Sequence, residues 1–409
     1  MRHFRRQTLL AAPLLCLTAA LPFRAHAQGR VVPGLEVLLT EQKSLIEGKR
    51  VGLITNHSGV DRRMRHAIDL IANTPGIRLA AIFAPEHGLR GAIEGGDEVA
   101  DARDERSGVP VYSLYGKTQR PTAEMLRDID VLVFDIQDAG VRFYTYISTL
   151  GECMEAAAAR GIPFVVLDRP NPLAGVRVEG RMIDLVRFRS FVGAYPLPIR
   201  YGLTIGELAG FIKDGMKQDL MLTVVKMKNY RRRFWYDQTG LQWIAPSPNH
   251  PSLASATVYP GMCLFEGTNL SEGRGTTQPF EMIGAPWLDG VKLAQELAAL
   301  KLEGVLFRPA SFTPSFSKHQ GVACHGIQVH VADRNRFQPV RVALHILSVI
   351  RRNYPEHFRW RESSMDRLAG SDDVRLAIDR NTPVDQILAS WEDDLRKFDA
   401  ARRRYFLYR

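Results

Sequence analysis

From residue 50 to residue 170 the chain repeats one pattern: a short, β-branched apolar run ends in a polar cluster, and a helix-compatible stretch follows. The runs are RVGLIT before NHSGVD, LAAIFA before PEHGLRG, DVLVFD before IQDAGVRFYTY, and PFVVLD before RPNP. Between them, RRMRHAIDLIANTPG, PTAEMLRDI and YISTLGECMEAAAARGI read as helices. Apolar strands that alternate with helices predict βαβ units and a parallel sheet covered on both faces. The expected fold class is α/β: a Rossmann-like, doubly wound parallel sheet joined to a second α/β or α+β subdomain, with a cleft between them.

In such a sheet a ligand sits beyond the carboxyl ends of the strands. All four polar clusters fall on that rim: Asn56 and His57; Glu86 and His87; Asp135, Gln137 and Asp138; Asp168 and Arg169. Four clusters on one rim argue for a site rather than for unrelated turns. The first strand turn lacks the G-x-G-x-x-G that lets backbone approach a pyrophosphate, which disfavours a nicotinamide or flavin. No G-x-S-x-G elbow is present either, so a hydrolase triad of that type has no support.

The chain opens with MRHFRR, QTLLAAPLLCLTAALPF and AHAQ, the basic, apolar and small-residue parts of a secretory signal, with cleavage expected after Ala27. Arg5 and Arg6 before QTLL also resemble a twin-arginine signal without its usual Phe, so both export routes stay open. No later stretch approaches the roughly 20 apolar residues of a membrane span. A periplasmic or secreted protein without an integral membrane segment is expected. Residues 28–195 are expected to form the Rossmann-like domain and residues 196–409 the second subdomain. Loss of the four signal arginines (Arg2, Arg5, Arg6, Arg24) lowers the formal net charge from +10 to +6, and that excess is dispersed apart from RRR at 231–233 and the closing ARRRYFLYR. Such a field favours an anionic polymer such as a cell wall, and no nucleic-acid-binding motif is present. Cys153, Cys263 and Cys324 allow one disulfide at most and read better as buried small hydrophobes. No C-x-x-C or H-E-x-x-H suggests zinc.

Residues 243–287 form a long tract rich in Pro and Gly, expected to be an irregular active-site loop. Its aromatic residues, among them Trp243, Tyr259, Phe265 and Phe280, argue against disorder. It carries Glu266, Glu272 and Glu281, with Arg274 and Asn269 close by. These charges either tie the loop down through mutual ion pairs or serve a ligand, where Arg274 offers a fork to an acidic group.

Glycoside cleavage needs a proton donor and a second carboxylate, about 5–5.5 Å away for retention or about 6.5–9.5 Å for inversion. Glu86 is the candidate donor, His87 a candidate relay, and Glu266 or Glu272 the candidate partner. Asp138, Arg142, Tyr144, Asn56, His57, Arg169, Asn269 and Arg274 are candidate sugar contacts, because rings stack on pyranose faces and guanidinium forks clamp carboxylates. Asn249, in PSPNHP, either bonds an acetamido group or forms a turn. Asp168 reads as the partner of Arg169. A metal held by Glu86, His87, Asp135 and His57 is a weaker alternative, and a non-catalytic binding protein for wall fragments is the rival from another class.

Several blocks carry a resemblance: GLITNHSGVD, FAPEHGLRG, VYSLYG, VLVFDIQDAGVRFYTYISTL, VLDRPNPLAG, PSPNHP, YPGMCLFEGTNLSEGRGTTQPFEMIGAPW and the closing YFLY. Through them nearly all of the mature chain resembles the bacterial exo-β-N-acetylmuramidases, a glycoside hydrolase family with a Rossmann-like domain. The resemblance implies removal of N-acetylmuramic acid units from the non-reducing ends of peptidoglycan fragments, without a metal or organic cofactor. It implies Glu86 as a catalytic carboxylate and a cleft closed by the EGTNLSEGRGT loop. In RYGLTIGELA, Tyr201 stands where the family pattern leads one to expect His. The second catalytic group and the stereochemical outcome are left open.

Overall fold

The computed structural model describes residues 29–91, 97 and 100–409; the expected export signal, residues 1–27, lies outside the described residues. The large sheet is built from β1 (Arg50–Thr55), β2 (Arg78–Ala84), β3 (Ala102–Arg103), β4 (Pro110–Ser113), β5 (Val131–Asp135), β6 (Phe164–Leu167) and β7 (Leu222–Val225). Their order is β3-β4-β2-β1-β5-β6-β7. All pairs are parallel except β3 with β4. The winding direction reverses at β1, which lies between β2 and β5. Their carboxyl ends therefore frame the crevice where such sheets bind ligands.

Alternation along the strands explains the covered sheet. In β5, Val131 and Val133 join Leu35, Leu38, Ile68 and Ile71 on one face. Leu132 and Phe134 join Ile147, Leu150 and Leu208 on the other. The helix Tyr146–Arg160 ends on Gly161, whose φ of 63° makes the left-handed cap. The helix Ile205–Asp214 starts with the capping box expected from Thr204 and Glu207. This helix and β7 both come from beyond residue 195, so the sheet is completed by chain assigned above to the second subdomain.

Two expected helices are corrected. The segment read as RRMRHAIDLIANTPG is helical only over Ala67–Ala72, where the His66 imidazole accepts a bond from the Ile68 amide at 3.1 Å. PTAEMLRDI forms turns, being too short to repay helix nucleation once its ends are fixed between strands.

The second sheet is antiparallel: β8 (Met282–Ala285), β9 (Val305–Phe312) and β10 (Cys324–Val331), in the order β8-β10-β9. The helices Gly290–Ala299 and Pro339–Asn353 belong to this half. The 243–287 tract is more ordered than expected, because Leu253–Met262 is an α-helix and Cys263–Gly267 a 3-10 turn. Pro260 and Gly261 hide that helix from a sequence reading. Gly261 is required by packing, since a Cβ there would lie 1.9 Å from the Pro339 carbonyl oxygen. One apolar cluster runs from the large sheet (Phe83, Phe134) into this half (Met262, Ile283, Ile327, Leu347). The three described cysteines are buried and unpaired.

Candidate active site

Glu86 and His87 are the two central residues of a tight turn directly after β2, closed by the Gly88 amide on the Pro85 carbonyl at 3.0 Å. His87 is buried and has φ of 70°, in the left-handed region. That conformation costs a residue with a side chain about 1–2 kcal/mol. The turn aims two titratable groups into a cavity of about 240 Å³ that both halves of the chain line. The large-sheet side supplies Glu86, His87, Tyr115, Tyr144 and Thr145; the other wall supplies Asn249, His250, Tyr259, Glu266 and Arg274.

Around Glu86 the geometry is tight. The Thr145 hydroxyl donates to Glu86 Oε2 from the loop that follows β5. The Tyr115 hydroxyl lies beside the same carboxylate from the loop after β4, and burial, followed by that negative charge, holds its proton well above the usual phenol range. Opposite, Arg274 Nη2 donates to Glu266 Oε1 at 2.7 Å, and Arg274 Nε lies 3.4 Å from Glu272 Oε1. Those two carboxylates hold the guanidinium's protons well above their usual range, against the effect of burial. Carboxylates from two directions around one enclosed space, with tyrosines between, can protonate a leaving oxygen and stabilise a cationic sugar.

Several candidates are pillars of this site rather than its lining. Arg142 is fully buried, with Nη1 on the carbonyls of Arg181 (2.7 Å) and Leu197 (3.0 Å) and Nη2 on Leu368 (2.7 Å). It staples three segments together through its two terminal nitrogens and, fully buried, does not line the cavity. Asn56 receives the Ser58 amide and hydroxyl and donates to the Tyr146 hydroxyl at 2.8 Å. That hydroxyl in turn reaches the Pro246 carbonyl at 2.5 Å, which ties the β1 loop to PSPNHP. His57 Nε2 is committed to the Ala245 carbonyl at 2.6 Å. Asn269 bonds the His357 carbonyl and the Arg359 amide, both at 2.9 Å. Glu272 is 2% exposed and lies 2.7 Å from Lys318 Nζ, so it anchors Arg274 and the loop instead of facing the cavity.

The expected Asp168–Arg169 pair is also corrected. Arg169 grips Asp135 with two bonds of 2.6 and 2.8 Å, tying the ends of β5 and β6 together. Asp168 meets Arg169 only through that residue's backbone amide, at 3.0 Å, and its other bonds come from Thr204, Gly206 and Tyr408, so the closing YFLY is a latch on the sheet's rim. With Asp135 and His57 engaged elsewhere, the four-ligand metal arrangement is not assembled. No group of three metal-ligating side chains occurs among the described residues.

Asp138 is buried too, and it accepts from the Tyr201 hydroxyl and the Gly140 amide at its Oδ2. Its Oδ1 has no partner among the described residues. Burial pushes this carboxyl up to about 6, with the Tyr201 and Gly140 bonds opposing. The folded pKa lies above the ordinary value of about 3.9, so the folded state keeps a proton that the unfolded chain releases. The associated stability is complete below about pH 4 and is lost as pH rises through about 6. Asp138→Asn is expected to flatten the change in urea midpoint between those values; an unaltered slope would assign the pH dependence to other groups.

Sequence reasoning missed Tyr115, Thr145 and His250. Tyr115 follows a strand end on the same rim, Thr145 lies in the IQDAGVRFYTY cluster after β5 and His250 follows Asn249 in PSPNHP, so each stood in or beside a motif already singled out, and folding shows that they reach the cavity.

The fold and the carboxylate-lined cavity together define a glycosidase-like α/β protein. Family models described as exo-β-N-acetylmuramidase NamZ match over residues 51–254 (N-terminal) and 257–408 (C-terminal), meeting after β7. The chain belongs to this family. It is 49% identical over 380 residues to the peptidoglycan β-N-acetylmuramidase NamZ of Bacillus subtilis (strain 168), covering 93% of this chain and 92% of the relative. Two crystal structures of DUF1343 family proteins from Bacteroides fragilis NCTC 9343 share the fold. One has a TM-score of 0.87 at 40% identity and the other 0.77 at 30%, each covering 93% of this chain and 99% of its own.

Proposed function

We propose that the protein is an exported, exo-acting β-N-acetylmuramidase that removes N-acetylmuramic acid from the non-reducing ends of peptidoglycan fragments. The observation that carries this reading is Glu86, held by Thr145 and Tyr115 at the sheet's switch point, in one cavity with the Glu266–Arg274 pair of the other wall. Family membership and the peptidoglycan-directed relative support it.

Glu86 protonates the glycosidic oxygen, with Thr145 fixing one carboxylate oxygen so that the acid meets the bond in one orientation. Glu266 supplies the anion that stabilises the oxocarbenium-like state or activates water. Arg274 binds the lactyl carboxylate of the muramyl unit, the feature that separates this sugar from N-acetylglucosamine. Its planar fork suits that group, and it lines the cavity, whereas Arg142 is fully buried outside that lining. The N-terminal segment directs export, and no helix among the described residues is long and apolar enough to cross a membrane.

Release of a chromogenic aglycone is expected from its β-N-acetylmuramide and far less from the N-acetylglucosaminide. Equal or absent turnover overturns the muramyl assignment, and saturable binding without product would turn the reading to a wall-fragment binding protein. Arg274→Lys keeps the charge and loses the fork, so kcat/KM on the muramide is expected to fall about 10- to 100-fold. A constant near that of the unmodified protein would remove Arg274 from carboxylate recognition.

A further inference from the structure

The loop between β9 and β10, residues 313–323, takes no part in the chemistry above, yet it grips the segment that carries Glu266 and Arg274 from end to end. Ser315 donates to the Gly275 carbonyl, just after Arg274, from both its amide (2.8 Å) and its hydroxyl (2.9 Å). His319 Nε2 donates to the Asn269 carbonyl at 2.7 Å. Lys318 Nζ donates to the Phe265 carbonyl at 2.7 Å, just before Glu266, and to the Thr268 carbonyl at 3.1 Å. It also lies 2.7 Å from Glu272 Oε2. An ammonium has three N–H donors, and here three oxygens surround it.

The side chains of Lys318 and Glu272 are 11% and 2% exposed, and neither lines the cavity. Ser317 and His319, on either side of the lysine, hold φ of 68° and 59°. That left-handed backbone costs a residue with a side chain about 1–2 kcal/mol, and it persists only where surrounding contacts enforce it.

The charges alternate along one chain of contacts: Lys318, Glu272, Arg274, Glu266. The two contacts of Arg274 are unequal, 3.4 Å from Nε to Glu272 and 2.7 Å from Nη2 to Glu266. Glu272 meets Lys318 with its other oxygen, so its charge is balanced without drawing the guanidinium in. Without that ammonium, the buried carboxylate would keep Arg274 as its cation and pull it away from Glu266, because a buried charge needs a close partner.

We propose that Lys318 is a positioning residue: it holds Glu272 and the carbonyls beside Glu266, and through them sets the Arg274 guanidinium against Glu266 at the cavity wall. This rests on the muramidase reading, in which Arg274 takes the lactyl carboxylate and Glu266 supplies the anion, and deepens it. A misplacement of about 1 Å in such groups costs up to about 100-fold, although the lysine itself does not touch the sugar.

The test is a double-mutant cycle on kcat/KM for the aryl β-N-acetylmuramide, with Lys318→Met and Arg274→Lys made singly and together in the full mature chain. Lys318→Met keeps an apolar stem and loses the charge, and is expected to lower kcat/KM about 10- to 100-fold. In the Arg274→Lys background the same change is expected to cost less than about threefold, since a residue that acts through Arg274 has little left to disturb. Should Lys318→Met not accumulate as folded protein, the cycle is run with Lys318→Arg, which keeps a cation for Glu272 but cannot present three donors from one atom. Its loss is expected to vanish beside Arg274→Lys in the same way. Losses that multiply in the double variant make Lys318 a general scaffold residue and overturn the proposal, as does near-native kcat/KM in the folded Lys318 variant. No turnover of the aryl muramide by the unmodified chain overturns the muramidase reading itself and takes the positioning role with it.

Discussion

Glu86→Gln is expected to lower kcat on a natural disaccharide by about a thousandfold or more, within the range assigned to loss of a positioned acid, while the melting temperature stays near that of the unmodified protein. The glutamine is nearly isosteric, and its carbonyl oxygen can still accept the Thr145 hydroxyl that holds Glu86 Oε2. The packing of the turn is therefore kept while the transferable proton is lost. Leaving-group chemistry separates the roles open to this carboxylate. A dinitrophenolate leaves without protonation, so the loss should shrink markedly on a dinitrophenyl muramide if Glu86 is the acid. An equal loss on both substrates would reassign Glu86 to attack or to charge stabilisation, and near-native kcat on both would remove it from the mechanism.

Arg169→Met is expected to destabilise the fold by about 3–5 kcal/mol, because it leaves Asp135 charged, buried and unpaired. The two side chains are 4% and 0% exposed, and their paired bonds join the ends of neighbouring strands β5 and β6. Arg169 also donates to the Val60 carbonyl at 3.0 Å, so the loop after β1 loosens with it. Since about 2–4 °C accompanies each kcal/mol in domains of 150–250 residues, a fall in melting temperature of about 6–20 °C should be seen by differential scanning calorimetry. The double variant Asp135→Asn, Arg169→Met should recover part of that loss, because removing both charges costs less than orphaning one. KM for the aryl muramide should change little in folded enzyme. A large KM change without destabilisation would make Arg169 a ligand-binding residue after all.

That second result separates two kinds of polar residue which look alike in sequence. Asn56, His57, Arg142, Arg169 and Asn269 stand in unusual polar motifs at strand ends or in the glycine-rich tract, as do Glu86, Arg274 and Asn249. The structure commits the first group to backbone carbonyls, amides or a buried carboxylate, while the second lines the cavity. Spacing along the chain has no term for this, because the deciding partners lie far away in sequence: Arg142 with Leu368, Asn269 with Arg359, His57 with Ala245.

The sequence by itself determined the α/β class, because strands buried on both faces must read as continuous apolar runs, and it determined the rim, because polar clusters can follow such runs only where the chain leaves the sheet. It also determined Glu86 as the leading candidate acid, since the PEHG turn directly follows one of those runs. Only the tertiary structure showed that Glu266 and Arg274 line the cavity that Glu86 also lines, whereas Glu272 is buried beside Lys318 and Arg142 is fully buried with its terminal nitrogens on backbone carbonyls. The physical reason is that burial, and the partners brought close only on folding, decide which polar side chains border open space, and spacing along the chain encodes neither.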